Sequence, residues 1–178
     1  MTTALMNMEE LRSFIRDVPD FPKPGILFKD ITPLLRSADA LETACRELAE
    51  PFLSSKITAV AAIESRGFIF GSVVSRILGC GFVPIRKPGK LPWTSRRHEY
   101  LLEYGSDALE IHEDAVTVAD NVLIVDDVLA TGGTIAAAST LVTSLGANVV
   151  GSAVVIELTF LNGREKVGNV PVHAVLRY

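Results

Sequence analysis

The stretch that most constrains this chain is N-V-L-I-V-D-D-V-L-A-T-G-G-T, residues 121–134. Val122 through Val125 form an unbroken apolar run with no polar alternation, which reads as a strand covered on both faces, as in a parallel sheet. Two carboxylates, Asp126 and Asp127, stand at its carboxyl end. Adjacent carboxylates are costly there unless a cation or a hydroxyl-bearing group satisfies them. The following Thr131-Gly132-Gly133-Thr134 has the opposite character. Its glycines let backbone N–H groups converge, its hydroxyls add donors, and a helix start adds partial positive charge. The pattern is an anion cradle beside a diol grip, and a sugar phosphate with a vicinal diol fits both halves.

The rest of the chain supplies the sheet that such a loop needs. Met8–Asp17 has the spacing of a short amphipathic helix, and Ile26–Ile31 reads as extended after a proline-rich turn. Ser37 caps a helix expected to run to about Phe52. Ile57–Ile63 is a second buried strand, followed by a helix at 68–78 and the strand 82–86. Residues 87–98 fit no regular element. A hairpin is expected around Gly105-Ser106, and a helix at 135–145 and strands at 149–156 and 172–176 complete the chain. Buried strands alternating with helices define an α/β fold with a central, mainly parallel sheet flanked by helices. Ligands of such sheets bind beyond the strands' carboxyl ends, which directs attention to the loops after residues 63, 86 and 125.

With 178 residues, the chain reads as a single domain, 1–178, with a small N-terminal hood over 1–35 and an α/β core over 36–178. The net charge of −4 argues against nucleic acid or a membrane surface as partner. No apolar run approaches the roughly 18 residues of a membrane span, and no secretory signal is read at the N-terminus. Cys45 and Cys80 have no metal-ligand spacing and read as reduced thiols of a cytoplasmic protein. No P-loop lysine motif or dinucleotide fingerprint occurs.

V-L-I-V-D-D-V-L-A-T-G-G-T resembles the phosphoribosyl pyrophosphate signature of the type I phosphoribosyltransferases. The resemblance implies that family's fold, with Asp126 and Asp127 on the ribose hydroxyls and Ala130, Thr131, Gly132, Gly133 and Thr134 on the 5′-phosphate. E-S-R-G-F-I-F-G at 64–71 is similar to the family's pyrophosphate turn, and R-K-P-G-K-L-P at 86–92 to the start of its flexible lid, here about 87–98. These strings assign Ser65, Arg66, Gly67, Arg86, Lys87 and Lys90 to pyrophosphate. F-P-K-P-G-I-L-F-K-D-I-T-P-L-L at 21–35 resembles a base-binding hood, which implies Leu27, Phe28 and Lys29 as adenine contacts. L-E-Y-G at 102–105 and the run from Glu157 to Lys166 match as well, and the matching glutamate, Glu103, is the implied catalytic residue at the imidazole side of adenine.

The implied reaction joins adenine to phosphoribosyl pyrophosphate, giving AMP and pyrophosphate. Mg²⁺ is the implied cofactor, held mainly by substrate oxygens and water with no protein cage. A homodimer is the implied assembly. A 6-oxopurine enzyme of the same fold is the alternative, weakened by Ala130 and the hood; a nucleotide-sensing regulator is another, weakened by Glu103 and the lid. The lid departs from the family beyond K-L-P: Trp93, Arg96, Arg97 and His98 have no assured counterpart in it, and the readings open to them are added pyrophosphate binding, contact with a neighbouring subunit or, the favoured one, decoration of a mobile loop. Residues 86–97 nevertheless hold five positive charges and no carboxylate, which suits a small polyanion.

Overall fold

Residues 6–101 and 106–178 are described by the computed structural model of the chain. They fall into two compact units, one reaching Glu47 and the other running from Leu48 to Tyr178.

In the first unit, α1 (Met8–Ser13) starts with a reciprocal cap: the Asn7 side chain accepts from the N–H groups of Glu9 and Glu10, and Glu10 reaches back to the Asn7 N–H. The expected helix to Asp17 stops at Ser13, because Arg16–Pro19 is claimed by a strand. This strand, β1, pairs antiparallel with β2 (Leu27–Asp30), in a register that sets Val18 opposite Phe28. Local amphipathicity lost to cross-strand pairing, which only the folded chain supplies. Two helices follow, α2 (Thr32–Arg36) and α3 (Ala38–Ala49). The Ser37 side chain accepts from the Ala40 N–H at the start of α3, the capping role read from sequence.

The second unit is built on β3 (Ala59–Ile63), α4 (Gly67–Leu78), β4 (Gly81–Ile85), β5 (Ser95–Leu101), β6 (Ser106–His112), β7 (Asn121–Leu129), α5 (Gly133–Ser144), β8 (Asn148–Glu157), α6 (Gly163–Val167) and β9 (Val172–Arg177). Five of its strands form one sheet in the order β4-β3-β7-β8-β9, and every neighbouring pair is parallel. All five residues of β3 are buried, as the apolar run predicts. Its small side chains let α4 lie close: a methyl group on Gly71 would overlap Cβ of Ala62. Ile63, Ile85, Leu109, Ile124, Ile135 and Leu141 are among the buried core residues, each contributing roughly 1.5–3 kcal/mol by leaving water.

Two boundaries differ from the sequence reading. β7 continues through the acidic pair to Leu129, because its ladder with β8 runs on from Asp126 opposite Val154 to Leu129 opposite Glu157. The hairpin is shifted as well. β5 and β6 pair Tyr100 with Asp107 and Leu101 with Ser106, so Ser106 is strand, and Ser95 through His98 leave the irregular segment and join β5. Arg96 and Arg97 are therefore held. Arg96 donates to the Ser144 carbonyl at the end of α5, where a cation meets the helix's negative terminus, and Arg97 pairs with Glu99 at 2.8 Å. No helix among the described residues is long and apolar enough to cross a membrane.

Candidate active site

Parallel pairing brings three loops to one edge. Ala62 sits beside Val125 and Ile63 beside Ile85, so the turns after β3, β4 and β7 emerge together. An Arg86–Glu110 bridge docks the β5–β6 hairpin against the same edge. The result is a cavity of about 370 Å³, lined by Ile63, Glu64, Ser65 and Arg66, by Lys87, by Tyr100 and Asp107, and by Asp126, Asp127 and Thr134. A larger depression, about 570 Å³, lies in the first unit between Arg16, Thr32 and Arg36 and contains none of these groups.

The acidic pair is buried, Asp126 at 8% and Asp127 at 6% exposure. Asp126 accepts the Asp127 N–H at 2.9 Å. Burial, reinforced by the neighbouring Asp127 charge, pushes the Asp126 carboxyl well above the usual carboxylate range. Burial raises Asp127 too, against the pull of Arg66, whose Nε lies 2.6 Å from Asp127 Oδ2. The site has stored two costly carboxylates where a ligand rich in hydroxyl donors would satisfy them. Gly67, the first residue of α4, stands so close that a methyl group on it would lie 3.0 Å from Asp126 Oδ1.

Arg86, Lys87 and Lys90 are each paired with a carboxylate that lines the cavity. Arg86 Nε is 2.6 Å and Lys90 Nζ 3.3 Å from the Glu64 carboxylate, which they hold below its ordinary range against the effect of burial. The Arg86 guanidinium also lies over the Phe68 ring at 6.0 Å. Lys87 pairs with Asp107, which overcomes the desolvation of the ammonium ion and raises its pKa. Tyr100 extends the chain, its hydroxyl 3.3 Å from Asp107 Oδ2 and 3.5 Å from Thr134 Oγ1.

The loop from Ala130 to Thr134 reaches the cavity through Thr134. Gly132 adopts φ +83°, a conformation open to glycine, and α5 begins at Gly133 with no side-chain cap and no acidic residue in its first turn. Its first N–H groups are thus left for an anion. Ala130 and Thr131 connect this helix start to β7.

Residues 34–170 match the family model of the phosphoribosyl transferase domain. The chain belongs to the phosphoribosyl transferase family. The adenine phosphoribosyltransferase of Nitrosococcus oceani is 56% identical over 171 residues, covering 96% of this chain and all of that one. Among solved structures, adenine phosphoribosyltransferase from Thermoanaerobacter pseudethanolicus superposes with a TM-score of 0.94 at 49% identity, covering 97% of this chain and 100% of its own. The Saccharomyces cerevisiae enzyme, complexed with an imino-altritol bisphosphate and adenine, superposes at 0.90 with 43% identity, over 95% of this chain and 98% of that one.

Within this family frame, the structure sets Ser65, Arg66, Lys87, Asp126, Asp127 and Thr134 around one cavity, with Gly67 packed against Asp126 and with Arg86 and Lys90 on its Glu64, while Ala130, Thr131, Gly132 and Gly133 are outside its lining. Leu27, Phe28 and Lys29 lie on β2 of the first unit. There Phe28 meets Phe21 edge to face at 5.1 Å, Lys29 pairs with Asp17 at 2.6 Å, and Leu27 is half exposed. Glu103 falls in 102–105, outside the described residues. Sequence reasoning missed Glu64, Tyr100 and Asp107. Only the hairpin register could have exposed the last two, since it sets them opposite each other.

No cluster of three potential metal-ligating His, Cys, Asp or Glu side chains occurs among the described residues. The hard oxygens of Asp126 and Asp127 fit a Mg²⁺ ion whose remaining ligands are substrate oxygens and water.

Proposed function

We infer that this chain transfers the 5-phosphoribosyl group of phosphoribosyl pyrophosphate to N9 of adenine, releasing AMP and pyrophosphate. The observation that carries this reading is the shared cavity, where a carboxylate pair, two cations and the start of an uncapped helix face one another. Those are complements of a ribose diol, a diphosphate and a phosphate monoester. The choice of adenine is supported by the full-length relatives that use it.

In this mechanism Asp126 and Asp127 accept hydrogen bonds from the ribose hydroxyls, and Ala130 through Thr134 hold the 5′-phosphate. Ser65, Arg66, Gly67, Arg86, Lys87 and Lys90 bind the diphosphate and stabilise the negative charge it gains as it leaves. The N9 lone pair forms the new bond to the anomeric carbon as the bond to the diphosphate oxygen breaks, through a state with oxocarbenium character. Glu103 takes up the imidazole proton of adenine and returns it to N7 in the reverse direction. Phe28 stacks on the base while backbone groups of Leu27 and Lys29 read its edge. Mg²⁺, when bound beside Asp126 and Asp127, supplies charge neutralisation for the diphosphate. The segment from Lys87 to Thr94 is the lid that excludes water from the reactive sugar.

The protein is further proposed to act in the cytoplasm as a homodimer. Burial pushes the free Cys45 thiol up to about 12, in keeping with an inert reduced side chain. Incubation with Mg²⁺, phosphoribosyl pyrophosphate and adenine, hypoxanthine or guanine tests the activity: AMP is the expected product, and turnover of a 6-oxopurine instead overturns the assignment. Light scattering that shows only monomer at working concentration overturns the dimer.

A further inference from the structure

The run ending in G-R-E-K, 163–166, has no part in the mechanism above, yet it is pressed against the phosphate cradle. A methyl group on Gly132 would overlap the Gly163 carbonyl oxygen, and one on Gly163 would overlap the Ala130 carbonyl oxygen and lie 3.0 Å from the Gly132 nitrogen. The cradle and the start of α6 are thus in backbone contact, with no room for a side chain between them. α6 is anchored on its other side. Arg164 donates to both carboxylate oxygens of buried Glu157, at 2.6 and 2.8 Å, and to the Val172 carbonyl at 2.8 Å.

One residue of this anchored segment faces the helix that receives the phosphate. A Cβ on Gly133 would stand 3.4 Å from Lys166 Nζ and 3.3 Å from Cδ2 of the Tyr100 ring. The lysine is exposed, and Gly133 is the first residue of α5. An ammonium ion beside a helix N-terminus is unfavourable in itself, because the free N–H groups carry the same sign of partial charge. A dianion held between the two turns both into attractions.

We propose that Lys166 is a phosphate-binding residue whose ammonium ion contacts the 5′-phosphate monoester held by residues 130–134, a role that rests on the phosphoribosyl-transfer reading. The two glycines at 132 and 163 set the distance, and the Arg164–Glu157 pair keeps α6 from drifting away. Lys166 thereby reads the phosphate end of the ligand and not its diphosphate or its base.

Calorimetric titration of the wild type, K166Q and K166R with AMP, ribose 5-phosphate and pyrophosphate tests this. Loss of one charge-assisted contact should weaken AMP and ribose 5-phosphate about tenfold in K166Q. Pyrophosphate affinity should stay close to wild type, and K166R should retain most of the AMP affinity. Unchanged AMP binding in K166Q, or parallel loss of pyrophosphate binding, overturns the role of Lys166 and leaves the activity standing. A wild type that binds neither AMP nor ribose 5-phosphate overturns the phosphoribosyl reading, and this role with it.

Discussion

Arg66 Nε lies 2.6 Å from Asp127 Oδ2, joining the turn after β3 to the carboxyl-terminal part of β7 in one ion pair that lines the cavity. The group assigned to the diphosphate and a group assigned to the ribose hydroxyls therefore set each other's position. Asp127→Asn removes the charge that holds Arg66 and the strong acceptor for a hydroxyl. The KM for phosphoribosyl pyrophosphate should rise about tenfold or more, with the KM for adenine little changed. Initial-rate kinetics with each substrate varied in turn reads this, and equal loss for both substrates would mean a general folding defect.

For Asp126, burial is a cost to the fold. With its carboxyl pKa raised above the ordinary 3.8, the folded state binds more protons than the unfolded one between the two values. Stability from this residue therefore falls as pH rises through that window, and the full cost is present above it. Asp126→Asn should raise stability by about 1 kcal/mol at neutral pH, a few degrees in Tm, while abolishing turnover. Thermal melts across pH check it; a lower Tm at neutral pH would refute the assigned sign.

Glu157 has the reverse sign. Arg164 holds its carboxyl below the ordinary 4.5, against burial, and Arg177 Nε lies 3.2 Å away. Its contribution is present above that value and is lost as pH falls through the folded pKa. Because both arginines are partly exposed, Glu157→Gln should cost only about 1–2 kcal/mol at pH 7. In urea unfolding, the gap between variant and wild type should close as pH drops below 4.5.

Gly163→Ala places a methyl group against the Ala130 carbonyl and should destabilise the chain by about 2 kcal/mol. AMP affinity should fall with it, because the cradle must shift. Gly81→Ala is the control, since its Cβ would meet only the Thr58 carbonyl at an ordinary 3.7 Å. Chemical denaturation of both variants, with AMP titration of Gly163→Ala, decides the matter.

Glu103→Ala should lower kcat with pyrophosphate and phosphoribosyl pyrophosphate affinities preserved, as expected of a group that handles only the purine proton. Unchanged turnover removes it from the mechanism.

The sheet was legible because its strands announce themselves: the runs at 59–63, 121–125 and 149–156 have no polar alternation, and only a sheet covered on both faces buries them. The place of the 126–134 loop in the fold was legible for a similar reason: an acidic pair closing an apolar run and a glycine-threonine turn before a helix mark a loop at the sheet's edge, where the structure sets Asp126, Asp127 and Thr134 around one cavity. Local patterning failed where the answer lay in a distant partner. The helix expected to Asp17 ended at Ser13 because β2 recruits Arg16–Pro19, and the acidic pair belongs to β7 because β8 extends the ladder to Leu129.

The amino-acid order alone thus determined the class of fold and directed attention to the carboxyl edge of the sheet, where the structure places a cavity lined by Asp126, Asp127 and Thr134, because periodicity and side-chain chemistry are local properties. The tertiary structure decided the pairings: Arg66 with Asp127, Lys87 with Asp107, Tyr100 beside Thr134, and Lys166 against the start of α5. These contacts join residues tens of positions apart through strand register and glycine-to-glycine packing. Charge and hydropathy along a chain carry no record of either.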